Sequence, residues 1–175
     1  MEIKTQVVDN FLKDEDFGEL IQLTNFGEIP YNISMGVSGY ESYEEVRQNA
    51  LWNWYGTHTV YDYNQPRSSL YELTTKIFSK ISGEMGLGYG LIRSKINFYP
   101  YTNIVYEHGP HKDYDFFNYG AVLSLNTCNG FTRLEDGTKI DSVANRMLFF
   151  DASKLHNSST TSDAPGRFNI NLNFR

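Results

Sequence analysis

Regular alternation of apolar and polar side chains is clearest in the last segment of the chain, residues 167–174. A period of two places every apolar side chain of a β-strand on one face. Arg167 then shares the opposite face with the asparagines. If the apolar face packs on helices, Arg167 points into the mouth of a barrel. The alternating residues are Phe168, Ile170, Leu172 and Phe174 on one face and Asn169, Asn171 and Asn173 on the other.

Seven further short apolar or alternating runs precede this segment. Asp136-Gly137 separates two of them, and Asp-Gly is a strong hairpin signal. Eight short strands within about 85 residues favour a compact β-barrel or sandwich. The seven runs lie at about 91–99, 103–109, 119–126, 130–135, 138–143, 146–150 and 155–160.

The first part of the chain shows helical periodicity instead. Asp14 is a candidate helix cap, and Gly86 with Gly88 ends a later helical pattern. We expect these helices to cover one face of the barrel. The predicted elements are a short strand within 1–12, helices at about 15–25, 42–50 and 68–85, and a strand from Tyr55 to Tyr63.

The length of 175 residues fits one domain, 1–175, with a helical and aromatic support region at about 1–90 and a β-barrel core at about 91–175. A net charge of −6 without a Lys/Arg run disfavours nucleic acid as a partner. Cys128 is the single cysteine, so no intrachain disulfide forms. The N-terminus lacks a signal pattern and no run is long enough to span a membrane, so we expect a cytoplasmic protein without a membrane partner. The sequence does not indicate the oligomeric state.

The candidate metal ligands are His111, Asp113 and His156. His111 and Asp113 are two residues apart, so on an extended segment their side chains share a face. Two imidazoles and one carboxylate form the facial arrangement that suits Fe(II) and leaves coordination positions open. His108 competes with His111, but its odd spacing from Asp113 disfavours it. Asp115 is also in phase with His111 and competes with Asp113.

Three further residues are candidate co-substrate ligands. Arg167 offers a guanidinium fork that matches a carboxylate in a bidentate pair. Tyr99, before Pro100, offers a phenol to the same carboxylate, and Ser124 is a hydroxyl within an apolar run. Each residue also has a structural explanation without a ligand. Arg167 could be a surface arginine after a turn, Tyr99 a tyrosine that packs in the core, and Ser124 a serine bonded to the backbone. His58 is expected to be structural or to lie on the substrate side.

In order and spacing, these residues resemble the 2-oxoglutarate- and Fe(II)-dependent oxygenases, and most of all their prolyl 4-hydroxylase branch, in a compact form like those of bacterial viruses. The resemblance covers roughly 91–175. Two departures are Asn129-Gly130-Phe131-Thr132, where a Gly-Gly-rich step is usual, and the lack of a tryptophan near the last strand. The matching pieces are Tyr99-Pro100, His111-Lys112-Asp113, the run 121–126, the run 145–150, His156 and Arg167.

The resemblance implies a mainly β fold, a double-stranded β-helix (a jelly-roll or cupin-like barrel) with N-terminal helices on the larger sheet. It implies Fe(II) at His111, Asp113 and His156, which would be the catalytic residues. It also implies 2-oxoglutarate at Arg167 with help from Tyr99, dioxygen as oxidant, and ascorbate as a further candidate cofactor. The expected reaction hydroxylates a C–H bond and releases succinate and CO2. Because Asp113 is retained, hydroxylation is favoured over halogenation.

A prolyl residue in a peptide or protein is the first substrate expected from this resemblance, and a small molecule is the alternative. The aromatic segment 31–66 is either a substrate groove or lid, or filling between helices and barrel. It contains Tyr40, Tyr43, Trp52, Trp54, Tyr55, Tyr61 and Tyr63. Two rival functions stay open: a non-catalytic ligand-binding barrel, and a cupin-like metalloenzyme that does not use 2-oxoglutarate.

Overall fold

The computed structural model describes residues 4–24, 29–37, 50–84, 86–88 and 90–175. The predicted helix at about 42–50 lies outside these residues. No helix in the described ranges is both long and apolar enough to cross a bilayer. The elements in chain order are β1 Gln6–Val8, α1 Asp14–Thr24, β2 Asn32–Met35, β3 Trp54–Asp62, β4 Gln65–Pro66, α2 Tyr71–Glu84, β5 Leu91–Pro100, β6 Tyr119–Ser124, β7 Phe131–Leu134, β8 Lys139–Asp141, β9 Met147–Asp151, β10 His156–Ser158 and β11 Gly166–Phe174.

The larger sheet is antiparallel throughout. Its strands follow the order β1-β9-β6-β11-β5-β3-β2, and β4 pairs with β3 at the side. The last strand, β11, lies in the middle of this sheet, with Arg167 opposite Tyr99 of β5 and Asn169 opposite Ser124 of β6. Residues opposite each other share a face. The pairing therefore places Tyr99, Ser124 and Arg167 on the same side of the sheet.

The smaller sheet has the order β10-β7-β8 and is also antiparallel. The predicted hairpin at Asp136-Gly137 joins β7 to β8, with Gly137 at a φ of 86° and the side chain of Asp136 accepting from the Thr138 amide. The run predicted at 103–109 is not a continuous strand. It joins the smaller sheet only through isolated bridges, of which Glu107 to Ser159 is one.

The helices pack on one face of the larger sheet, as the alternation in β11 predicts. Leu20 of α1 and Ile77 of α2 belong to the same buried cluster as the apolar face of β11. Ser68 accepts a hydrogen bond from the Leu70 amide and so caps the start of α2. The four β11 side chains in that cluster are Phe168, Ile170, Leu172 and Phe174.

A second buried cluster lies between the two sheets. Val122 and Leu148 come from the larger sheet, and Leu134 and Ile140 from the smaller one. The two sheets therefore face each other across an apolar layer. The polar face of β11 extends beyond this layer, where Asn169 and Asn171 line a cavity between the sheets.

Candidate active site

Three side chains meet at this cavity. One ligand atom from each of His111, Asp113 and His156 lies within 4.8 Å of the other two. Backbone pairing brings them together, because the amides of His111 and His156 each donate to the carbonyl of the other at 2.9 Å. The Asp113 amide donates to the carbonyl of Ala152 at 3.0 Å. Two segments more than 40 residues apart are thus held side by side.

The His156 ring has a defined tautomer. Its Nδ1 lies 3.0 Å from the carbonyl oxygen of Lys154, which only accepts, so Nδ1 carries the hydrogen. Nε2, the ring nitrogen that remains for a metal, lies 3.8 Å from Oδ2 of Asp113. Phe150 packs edge-on against the same ring with centroids 4.7 Å apart. A ring fixed in this way is what a metal-binding histidine requires.

His111 is held in the neutral form. Burial, and then the neighbouring His156, lower the pKa of His111 to about 4. Its ring lies 4.6 Å from the ring of His156. Because a neutral imidazole binds a metal and an imidazolium does not, the site has its histidine donor ready at neutral pH.

Asp113 is buried and held as a carboxylate. Arg93 Nη2 donates to its Oδ1 at 2.9 Å, and Asn173 Nδ2 donates to its Oδ2 at 2.9 Å. Burial is the largest single influence and would raise the pKa of Asp113. His156, Arg93 and Asn173 together outweigh it, and the pKa lies below its usual value. The carboxylate is therefore charged and oriented before any ligand arrives.

Arg167 is deeply buried, with 1% of its surface exposed. Nη2 donates to Oγ1 of Thr132 at 2.8 Å, and the guanidinium lies 5.4 Å from the ring centroid of Tyr99. Nε and Nη1 are buried without a hydrogen-bond partner among the described residues. Burial lowers the pKa of Arg167. Buried N–H groups of a cation cost several kcal/mol when unsatisfied, so this arginine is built to receive an anion.

Gly130 makes room for Arg167. A Cβ on Gly130 would lie 2.7 Å from Cδ of Arg167 and 2.8 Å from the backbone oxygen of Thr160. Gly130 precedes β7, in the segment that departs from the usual glycine-rich step. The absence of a side chain at Gly130 therefore leaves the space that the Arg167 side chain occupies.

Tyr99 and Ser124, the other two predicted co-substrate residues, differ in whether they reach the cavity. Tyr99 lines the cavity and stacks on Tyr55 with centroids 5.9 Å apart. Burial raises the pKa of Tyr99, so the phenol keeps its proton. Ser124 is buried on the same side of the sheet, but is not among the described residues that line the cavity.

The competing residues lie apart from the triad. His108 is buried, with Nδ1 2.9 Å from Oγ of Ser158, and burial lowers its pKa to about 3. Asp115 is exposed. The ring of His58 is bonded to the carbonyl of Pro30 and to the hydroxyl of Ser68, in a structural position.

The aromatic segment divides between two roles. Tyr55 lines the cavity, and Trp52 stacks on Tyr106 with centroids 4.6 Å apart. Trp54 packs edge-on against Phe98, and Tyr61 stacks on Tyr71 of α2, so these two fill space away from the cavity. Tyr40 and Tyr43 lie outside the described residues.

Sequence reasoning missed the cations on β5. Arg93, Lys95, Asn97 and Tyr99 all line the cavity, which has a volume of about 210 Å³. Their spacing of two residues is a signal that was present in the sequence, since alternate side chains of a strand share a face. The signal is weak because Ile92, Ser94 and Ile96, between them, do not form a uniformly apolar series.

Comparison with known proteins shows structural likeness without close sequence likeness. No family model and no curated protein sequence matches the chain. A prolyl hydroxylase from Trichoplax adhaerens, in complex with a peptide fragment of the hypoxia inducible factor oxygen degradation domain, is 18% identical with a TM-score of 0.62. The matched region covers 97% of this chain and 82% of the Trichoplax chain.

Two further solved structures share the fold. An oxidoreductase of the 2OG-Fe(II) oxygenase family from Burkholderia pseudomallei has a TM-score of 0.64 at 11% identity, covering 97% of this chain and 84% of its own. The alpha ketoglutarate dependent epimerase SnoN from nogalamycin biosynthesis has a TM-score of 0.61 at 10% identity, covering 97% of this chain and 77% of its own. The chain therefore has the double-stranded β-helix fold of the 2-oxoglutarate- and Fe(II)-dependent oxygenases.

Proposed function

We propose that this protein is a 2-oxoglutarate- and Fe(II)-dependent dioxygenase that hydroxylates a C–H bond. One observation carries the proposal. The triad of His111, Asp113 and His156 lies between the same two sheets as Arg167, whose buried Nε and Nη1 have no partner among the described residues. A cupin-like enzyme without 2-oxoglutarate has no need of such an arginine.

The donor set fits Fe(II). His111 and His156 supply nitrogen donors, and Asp113 supplies one carboxylate oxygen, which leaves open positions on a six-coordinate ion. The hydrogen bond from His156 to the Lys154 carbonyl and those from Arg93 and Asn173 to Asp113 hold the donors in place. Such outer contacts commonly contribute tenfold to hundredfold in metal affinity.

The residues around Arg167 fit the distal carboxylate of 2-oxoglutarate. Arg167 would bind it through its unpaired N–H groups, while Thr132 keeps the guanidinium oriented. Tyr99, in contact with the guanidinium, would complete this end of the cavity. Ser124, on the neighbouring strand, does not line the cavity, so we assign it no contact with the co-substrate.

When bound, Fe(II) and 2-oxoglutarate supply the oxidising chemistry: dioxygen delivers one atom to a substrate C–H bond and one to succinate, with loss of CO2. The chain orients these groups and limits access of water. Val122 closes the apolar side of the cavity, and Asn97 and Asn169, joined by a hydrogen bond of 2.9 Å, form part of its polar wall.

For the substrate we propose a prolyl residue of a peptide or protein, with a small molecule as the alternative. Support comes from the peptide bound to the Trichoplax protein of the same fold. The cavity volume of about 210 Å³ is small for a ligand pocket, so it suits a co-substrate and one small group of a larger molecule. Tyr55 offers aromatic surface beside it.

The metal and co-substrate assignment is tested by anaerobic titration of apo protein with Fe(II) and then 2-oxoglutarate. We expect a visible metal-to-ligand charge-transfer band that needs both additions and is absent in His156→Ala. His58→Ala is the matched control, because His58 lies away from the triad. A folded protein without the band would move the ligand-binding barrel to first place.

The substrate assignment is tested by incubating the iron-loaded enzyme with 2-oxoglutarate, dioxygen and capped proline-containing peptides, with and without ascorbate. We expect the peptide to gain one oxygen atom in step with succinate. Peptides in which alanine replaces proline are the control. Equal oxidation of both sets would contradict the prolyl assignment.

A further inference from the structure

Lys95 is a cation in the cavity that metal and co-substrate binding do not explain. It follows Arg93 and precedes Asn97 on the cavity face of β5. Its Nζ lies 5.9 Å from the ring centroid of Tyr55. Arg93 differs, because it is bonded to Asp113. Among the described residues, no acceptor lies within hydrogen-bond or ion-pair distance of Lys95 Nζ.

Lys95 lines the cavity together with His111, Asp113 and His156, whereas Arg167 is not among the described residues that line it. After burial and His156, the positive charge of Lys95 also influences the pKa of His111, and it acts on Asp113 in the same way. Among the described residues, the neighbours that influence the pKa of Arg167 are Tyr99 and Cys128. Lys95 and Arg167 therefore have different surroundings, and the distal carboxylate of 2-oxoglutarate needs only one of them.

The charges around the triad do not balance once the proposed ligands are counted. Fe(II) and the 2-oxoglutarate dianion cancel each other. Among the described side chains that line the cavity, Arg93, Lys95 and the more exposed Lys112 are positive, and Asp113 is the one carboxylate. Asp62 also influences the pKa of Lys95, but less than Asp113 does. At least one positive charge stays unmatched in a site that is partly shielded from water, which favours an anionic group.

Lys95 is charged at neutral pH. Burial, followed by repulsion from Arg93, lowers its pKa to about 8. An ammonium that is partly desolvated in this way gains by pairing with an anion. The small cavity volume of about 210 Å³ leaves room for a carboxylate rather than for a larger anion beside 2-oxoglutarate.

We propose that Lys95 binds a carboxylate of the substrate, so that the oxidised carbon lies close to an acidic group. The proposal rests on the proposed function, because it assigns to the substrate the charge that Fe(II) and 2-oxoglutarate leave unmatched. Two sources of the carboxylate fit the geometry: the substrate's own terminal carboxylate, or an acidic residue beside the oxidised one in a peptide. Lys95 is then a specificity-determining residue of the site.

The test uses full-length protein loaded with Zn²⁺, a diamagnetic ion that the same donors bind, and labelled with ¹³C at lysine Cε. Lys95→Met assigns the Lys95 signal, and Lys76→Met, on the exposed side of α2, is the matched control. 2-Oxoglutarate is added first, then one of two probe pairs. One pair is N-acetylproline with N-acetylprolinamide, and the other is capped Pro-Asp with capped Pro-Asn.

We expect a saturable shift of the Lys95 signal, and a rise in its pKa, with one carboxylate probe. The amide partner should bind about tenfold to a hundredfold more weakly, because one charge-assisted hydrogen bond is lost. That difference should vanish in Lys95→Met and persist in Lys76→Met. The pair that responds identifies the source of the carboxylate.

Three results would overturn the assignment: equal responses to acid and amide, no response to any probe at millimolar concentration, or a Lys95 shift complete on addition of 2-oxoglutarate alone. The last result would make Lys95 a co-substrate residue. Failure of the proposed function gives a different pattern of results. In that case 2-oxoglutarate would not bind the Zn²⁺ protein, but the Lys95 signal would still shift with the carboxylate probe.

Discussion

Arg93 holds Asp113 through a hydrogen bond of 2.9 Å from Nη2 to Oδ1, and Asn173 holds the other carboxylate oxygen. Arg93 is on β5, Asn173 is near the end of β11, and Asp113 lies on the segment that crosses to the smaller sheet. The carboxylate is thus oriented from the larger sheet while its backbone is held by Ala152.

Arg93→Met should weaken Fe(II) binding by about tenfold to a hundredfold, because Asp113 loses a charged donor that orients it. Anaerobic Fe(II) titration measures the change. Arg133→Met, which removes an exposed pair with Glu107, is the control. Unchanged iron affinity in Arg93→Met would show that Asn173 alone positions the carboxylate.

Asp113→Ala should abolish Fe(II) binding, whereas Asp115→Ala should leave it unchanged. The two carboxylates are two residues apart, but Asp113 is buried beside His156 and Asp115 is exposed. Metal content after anaerobic reconstitution separates them. Loss of iron in Asp115→Ala alone would reverse the assignment.

Arg167→Lys should raise the Kd for 2-oxoglutarate by about tenfold to a hundredfold and leave Fe(II) in place, because the ammonium keeps the charge but loses the planar fork. The charge-transfer band, titrated with 2-oxoglutarate at saturating Fe(II), measures this Kd. The lysine variant is preferred to alanine because Arg167 is only 1% exposed and its loss would leave a cavity. An unchanged Kd would place the distal carboxylate elsewhere.

Gly130→Ala should weaken 2-oxoglutarate binding although it replaces none of the residues proposed to contact 2-oxoglutarate. Its Cβ would lie 2.7 Å from Cδ of Arg167, so the arginine must shift. Overpacking of this kind also costs about 1–3 kcal/mol of stability. Gly83→Ala, on α2 with open space around it, is the control. Calorimetry of 2-oxoglutarate binding and urea unfolding give the two effects separately.

Unfolding of the metal-free protein should depend on His108 below about pH 6.5. Burial lowers the pKa of His108 to about 3, so the folded state stays unprotonated where the unfolded state takes up a proton. This histidine therefore destabilises the fold as pH falls from about 6.5 towards 3, by up to about 1.4 kcal/mol per pH unit. Above pH 7 its contribution is absent.

The measurement for His108 is the free energy of unfolding in urea between pH 4 and 8, for wild type and His108→Gln. The difference between the two proteins should change with pH in the direction just given. His111 also has a lowered pKa and affects both proteins equally, so it cancels. A difference that is flat with pH would show that folding does not lower the pKa of His108.

Local sequence patterns predict much of the fold. The alternation in β11 predicts which face meets the helices, because a strand has a period of two whatever its neighbours are, and the structure confirms it. Asp136-Gly137 predicts the β7–β8 hairpin because Gly137 accepts a positive φ without strain. The run at 103–109 is wrong as a continuous strand, since its residues reach the smaller sheet only through isolated bridges.

The candidate ligands also follow from the sequence, since few residue types serve as metal donors and their order along the chain is visible. What surrounds them does not follow, because it depends on contacts between distant segments. Arg93, Asn173 and Lys95 reach the triad from strands of the larger sheet. No local pattern reports that Gly130 makes space for Arg167.

The sequence by itself therefore determined the barrel with its helix-facing side, the hairpin and the residue types of the candidate centre, because these depend on strand periodicity, turn conformation and donor chemistry. Only the tertiary structure decided that His111, Asp113 and His156 meet at one cavity, that Arg167 has unpaired buried donors, and that Lys95 adds a cation to the cavity. Those outcomes depend on sheet pairing and burial, which bring together residues that are far apart in the chain, such as Arg93 and Asn173, separated by 80 positions.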